Sequence, residues 1–173
     1  MESGTSSGAE SALSGCARTA TRPALAEDGA RVGDVYLLAV RKAMPWLQLA
    51  HTDDEVRAWF AGKMLESHQV WVVEMDGVVH AFLALSPDQT WVNHLYVHPQ
   101  AQGVGLGTDL LEVAKARSPG QLRLWAFQRN HRARTFYEHR GFEAIEFGDG
   151  STNQEGEPDV LYRWVASDPG GKR

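Results

Sequence analysis

Cysteine is almost absent from this chain of 173 residues: Cys16 stands alone. A disulfide within the chain and a cysteine metal cluster are thereby excluded, and no metal site is expected. Cys16 also lies at the edge of a soft stretch rich in Ser, Gly and Ala, which argues against a covalent route through a cysteine nucleophile. Basic residues are in deficit, 17 Lys and Arg against 22 Asp and Glu, for a net charge of -5. A general nucleic-acid binder needs the opposite balance, whereas a cationic substrate is compatible with this one. Long apolar runs are missing too, and Met1 to Gly15 has neither the basic start nor the apolar centre of a secretion signal. A cytoplasmic protein without a membrane or nucleic-acid partner is expected. What remains is an ordinary globular composition at a length that suits one domain with a real core.

Residues 1–16 read as a disordered tail, 17–166 as the domain and 167–173 as a second flexible tail. Arg18 to Ala24 suits a short edge strand, with Pro23 where an edge tolerates it. Asp28 is placed to cap a first helix, whose apolar stripe Val32, Val35, Tyr36, Ala39 and Val40 stops near Met44-Pro45. Thr52-Asp53-Asp54-Glu55 is a capping box for a second helix, with Val56, Trp59, Phe60 and Met64 as its buried face. Val70 to Met75 and Val78 to Leu85 flank Asp76-Gly77, a strong hairpin signal. Ser86 to Gln89 turns the chain into a third strand, Thr90 to Val97. Helix 105–116, strand Leu122 to Phe127, helix 131–139 and the strands Phe142 to Phe147 and Val160 to Val165 complete the order β-α-α-β-β-β-α-β-α-β-β. Gly148 to Asp159 is a polar, aperiodic loop.

The densest signal is Gln102-Gly103-Val104-Gly105-Leu106-Gly107-Thr108, a glycine turn between a strand and a helix. Glycines on alternate positions let a ligand approach the backbone, whose N–H groups gather at the positive end of a helix dipole. The pattern suits a phosphate-bearing ligand. A triphosphate loop would close on Gly-Lys-Ser/Thr, but Thr108 and Asp109 follow Gly107. A dinucleotide loop would follow its strand directly and carry an acid at the next strand end. Here His98-Pro99-Gln100-Ala101 intervenes and the next strand ends in Ala126-Phe127-Gln128. A structural turn without a ligand stays open on this segment alone.

Gln102-x-x-Gly105-x-Gly107 resembles the pyrophosphate loop of the GCN5-related N-acetyltransferases (GNAT), and Asn130-x-x-Ala133-x-x-Phe136-Tyr137 before Gly141-Phe142 resembles their closing signature. In physical terms Asn130 can cap a helix whose buried face is Ala133, Phe136 and Tyr137, with Arg134 outward and Gly141 as its stop. The resemblance runs from about Arg18 to Trp164. It implies an α/β (α+β) fold with a mixed central sheet of about seven strands, splayed between the fourth and fifth, and four helices. It also implies acetyl-coenzyme A as co-substrate, an N-acetyltransferase acting on a small-molecule or peptide amine in a ternary complex, and a monomer or homodimer. A longer acyl chain, transfer to oxygen, or a coenzyme-binding module without catalysis are the alternatives.

Carried onto this chain, the resemblance assigns the coenzyme to Leu95, Tyr96 and Val97, to Gln102, Gly103, Val104, Gly105, Leu106, Gly107 and Thr108, and to Asn130, Ala133 and Tyr137. The Val97 amide would face the thioester carbonyl, and Tyr137 would hydrogen-bond the departing sulfur. Relatives often carry a base on the face that alternation gives to Trp91 and Asn93, yet neither residue takes a proton. Asn93 could orient water or the amine, a β-bulge could turn His94 inward, and Glu74 and His80 are weaker candidates. Trp46, Trp91, Asn93, Glu155 and Asp159 are the expected acceptor-side residues. Asp53, Asp54, Glu55 and Glu157 add acid there, while Arg123, Arg129, Arg132, Arg134 and Arg140 are available to the coenzyme phosphates.

Overall fold

A computed structural model describes residues 19–167; Cys16, the tail 1–16 and residues 168–173 lie outside them. Seven strands and four helical segments follow the expected order. Strand β1 (Thr19–Pro23) leads into α1 (Gly29–Ala43). Helix α2 (Asp53–Trp59) runs through a π turn, Phe60–Met64, into the short α3 (Leu65–Ser67). Then come β2 (Gln69–Met75), β3 (Val78–Leu85), β4 (Val92–Val97), α4 (Leu106–Arg117), β5 (Gln121–Phe127), α5 (His131–Glu138), β6 (Glu143–Gly148) and β7 (Asp159–Val165). Among the described residues no helix is long and apolar enough to cross a membrane.

Strands β1-β2-β3-β4 form one antiparallel sheet and β5-β7-β6 a second. The two meet where β4 and β5 begin: Trp91 and Arg123 bridge in parallel, and the Arg123 N–H donates to the Thr90 carbonyl at 2.9 Å. Past that point the strands diverge, and the wedge between them is where the expected splay falls. One core, including Leu83, Leu110, Leu111, Leu122 and Tyr162, lies under α4 and α5. The other, including Val32, Val35, Phe60, Met64 and Phe82, lies under α1 and α2.

Local chemistry explains most boundaries. The Thr52–Glu55 capping box forms in both directions, and Asp76 and Gly77 hold the positive φ of a tight hairpin turn. Asp28, in contrast, does not cap α1. It is buried, accepts from both terminal nitrogens of Arg22 (2.7 and 3.0 Å) and from the Leu25 N–H (2.7 Å), and so locks the β1–α1 connection. Those Arg22 bonds hold its carboxyl below the usual carboxylate range. The second helix also departs from expectation. Phe60 and Met64 are buried, but the π turn adds a residue to the register and leaves Trp59 36% exposed.

Helix α1 crosses the second helix at Gly29, where an added Cβ would lie 2.4 Å from the Ala61 Cα. Because backbone cannot yield as a side chain does, Gly29→Ala is expected to destabilise the fold by about 1–3 kcal/mol. Urea denaturation checks this; an unchanged midpoint would mean that the two helices are not held in contact there.

Candidate active site

The antiparallel alternation decides what β4 offers to the wedge. The His98 N–H donates to the His80 carbonyl at 2.7 Å, so Tyr96 and His94 are the residues that share ladder bonds with β3. The amides of Leu95 and Val97 therefore point the other way, into the gap. A β-bulge does occur on this strand, with Ala84 opposite His94 and Leu85 opposite Val92, leaving Asn93 as the extra residue. Its effect differs from the expected one. It brings Val92 onto the face of Leu95 and Val97, while His94 stays on the opposite face among Tyr36, Trp59, Phe60, Phe82 and Tyr96.

Two cavities of about 410 Å³ each open along the wedge, and both are lined by Met44, Leu95, Tyr96, Asn130, Ala133 and Tyr137. They are two lobes of one groove, joined at Tyr137. The first lobe runs onto the glycine turn at Gln102, Gly103, Gly105, Leu106, Gly107 and Thr108, and its charged lining residues are Arg132 and Arg140. Gly103 and Gly105 have φ of +84° and +100°, and an added Cβ at either would meet only open space. Gly105 is the N-cap of α4, so the first N–H groups of that helix face a turn free of side chains. Val104 is 63% exposed and does not line the lobe.

Side chains brace this end. Gln102 donates to the Val97 carbonyl at 3.1 Å and accepts from Arg132 at 2.7 Å. Arg140 donates to Thr108 Oγ1 (2.7 Å) and the Phe136 carbonyl (2.9 Å), while its Nε is buried with no partner among the described residues. A guanidinium charge held beside a bare glycine turn suits an anionic ligand. Arg123, Arg129 and Arg134 lie elsewhere. Arg123 rests on Trp91, Arg129 stacks on Trp46 at 4.2 Å and pairs with Glu157, and Arg134 turns back to Tyr162 and the Gln128 carbonyl instead of facing outward.

The second lobe is lined by Val92, Asn93, Leu124, Phe127, Thr152, Asn153, Glu155 and Asp159 beside the shared residues. Asn130 caps α5, accepting from the Ala133 N–H at 3.2 Å, and this fixes its place at the junction. Tyr137 is 9% exposed, and burial pushes its hydroxyl above the usual phenol range. Asn93 is exposed and its amide reaches His68 Nε2 at 3.1 Å.

Several expected residues stand apart from the groove. Trp91 sits at the closed end of the wedge, and Trp46 covers Phe127 edge-on at 5.9 Å without lining either lobe. Glu74 is bound to Arg22 at 2.9 Å, and His80 packs on His98. Met44, Phe127 and Asn153 were not foreseen. Only the helix stop at Met44-Pro45 gave a local hint, since the other two enter through strand pairing and a loop.

Burial, with His68 adding to it, lowers the His94 imidazole to about 4 from an ordinary 6.5. Between those values the unfolded chain binds the extra proton and the fold does not. Stability should therefore drop as pH falls through this window, by up to about 1.4 kcal/mol per pH unit, and level off below it. His94→Phe should flatten the dependence of the urea midpoint on pH between about 4 and 6.5; an unaltered slope would show that another group causes it.

Residues 66–144 match the family model described as the acetyltransferase (GNAT) domain. The chain is 34% identical over 100 residues to a mycothiol acetyltransferase of Beutenbergia cavernae, covering 53% of this chain and 32% of that protein. It is 30% identical over 105 residues to the peptidyl-lysine N-acetyltransferase YiaC of Escherichia coli, covering 61% and 66%. The chain thus spans less than two thirds of each relative. Its fold superposes on YncA from Salmonella typhimurium, solved with its cofactor acetyl-CoA, with a TM-score of 0.65 and 22% identity over 90% of this chain and 98% of that one.

Proposed function

The chain carries an acetyltransferase domain of the GNAT family, and from that premise we propose that it transfers the acetyl group of acetyl-coenzyme A to a primary amine by direct attack, both substrates being bound together. The observation that carries this reading is the single groove whose two lobes meet at Tyr137, with only basic charge along the glycine-turn lobe and only acidic charge along the other. Acetyl-coenzyme A supplies an acyl group activated as a thioester. The α4 N-terminal amides, Arg132 and Arg140 hold the phosphates; Leu95 and Val97 offer backbone N–H groups in the wedge, and Asn130 flanks them. The Val97 amide is aimed where negative charge develops on the carbonyl oxygen, and the protonated Tyr137 hydroxyl stabilises the leaving thiolate. Asn93, tethered to His68, orients the amine or a water molecule beside it, and water takes up the proton the amine loses as the C–N bond forms and the C–S bond breaks. His94 acts from the far face, as part of the aromatic wall. We take the domain to span 17–166, because α1 and β7 complete the two cores.

Thiol release from acetyl-coenzyme A over a panel of amines, with mass spectrometry of the products, tests the reading. Acetylated amine is expected. Coenzyme binding without turnover on any amine would instead favour a binding module.

A further inference from the structure

The charge on the wall of the second lobe is of one sign. Glu155 and Asp159 are its charged lining residues, and no lysine or arginine among the described residues lines it. Asp159 is 8% exposed, and its Oδ2 accepts only from the neutral Asn153 amide at 2.9 Å, while Oδ1 has no partner among the described residues. Glu155, half-buried, has neither a hydrogen bond nor an ion pair among them. The same loop satisfies its other acids. Glu157 pairs with Arg129 at 3.6 Å, and Asp149 is exposed to solvent besides accepting from the Ser151 N–H at 2.9 Å. Within this loop the carboxylates that are shielded from solvent and lack a cationic partner are thus confined to the cavity wall, where an enclosed charge without a counter-ion is costly.

Glu155 also lines a third cavity of about 320 Å³, with Tyr36, Glu55, Trp59, Phe60 and His94. Among the described residues this cavity likewise has no lysine or arginine in its wall; its other basic lining residue besides His94 is His51, 4.0 Å from Glu55. The π turn begins at Phe60 and leaves Trp59 half open. Faces of Trp and Tyr beside a carboxylate are a favourable seat for an organic cation. His94, neutral at pH 7, adds no repulsion.

We propose that the acceptor is a dibasic amine: its reacting nitrogen lies beside Asp159 and Tyr137, and a second ammonium or guanidinium sits in the adjoining cavity against Glu155, Tyr36 and Trp59. This rests on the acetyltransferase reading. The same carboxylates disfavour α-amino acids, whose own carboxylate would face them.

Putrescine and butylamine, equal in chain length and differing by one charge, form the test, with the full chain and saturating acetyl-coenzyme A. The diamine is expected to show kcat/KM about tenfold higher, and Glu155→Gln or Trp59→Leu to bring the ratio close to one, with coenzyme A affinity by calorimetry retained. Trp59 is exposed, so its variant serves even if the Glu155 variant folds poorly. Equal or no use of the diamine while coenzyme A binds would overturn the dibasic acceptor alone, as would a preference that survives both variants. Absence of coenzyme A binding would instead remove the acetyltransferase reading.

Discussion

Gly105→Val is expected to weaken coenzyme A binding about a hundredfold while lowering fold stability by only about 1–2 kcal/mol. The stability cost comes from backbone strain, because φ of +100° lies where an L side chain is disfavoured by that amount and a Cβ there meets no neighbour. The binding cost is larger because two effects add. A branched side chain stands where the ligand must approach, and a strained turn rotates the N–H groups of Gly105 and Leu106 away from it. Each charge-assisted hydrogen bond lost is worth about 1.5–3 kcal/mol, so two suffice for the hundredfold loss. Gly77→Val is the control, since Gly77 has φ of +79° and equally open space but turns the β2–β3 hairpin and lines neither lobe of the groove. It should match the strain and spare the binding. Equal coenzyme affinity for the two variants, by calorimetry, would show that the glycine turn does not hold the coenzyme.

Features set by a few consecutive residues are legible in the sequence itself. The glycine turn, the Thr52 capping box, the Asp76-Gly77 hairpin and the Asn130 cap each state their geometry within four or five positions. Strand and helix order followed from periodicity for the same reason. What escaped depends on partners distant in the chain. Simple alternation gave Val92 and His94 the same face of β4, and the bulge at Asn93, a property of the β3–β4 pairing, separated them. Asp28 has the look of a helix cap, yet Arg22 outcompetes the helix amides for its carboxylate because two charge-assisted bonds outweigh one neutral donor. The loop 148–159 reads as polar and rich in acids. Which of its acids are free was decided by Arg129, Asn153 and the strand register, none of which composition records.

Tyr137→Phe is expected to lower kcat about thirtyfold, with coenzyme A affinity and stability nearly unchanged. The substitution keeps the ring and its edge contacts with Phe136 and Phe142, centroids 5.2 and 5.6 Å away, so packing is not the variable. What is lost is one donor aimed into the junction of the two lobes. A hydrogen bond to a group that becomes anionic only as the thiolate leaves contributes about 2 kcal/mol to the transition state and little to the ground state, which is why kcat falls and binding does not. Burial also holds the phenol protonated through the working range, because its titration is moved upward, away from neutrality. The ratio of wild-type to variant kcat should therefore stay constant from about pH 6 to 9. A ratio that narrowed as pH rose would mean that the hydroxyl loses its proton in that range and serves as an acid in its own right. Equal turnover at every pH would leave the wedge and the α4 terminus to do the chemistry without it.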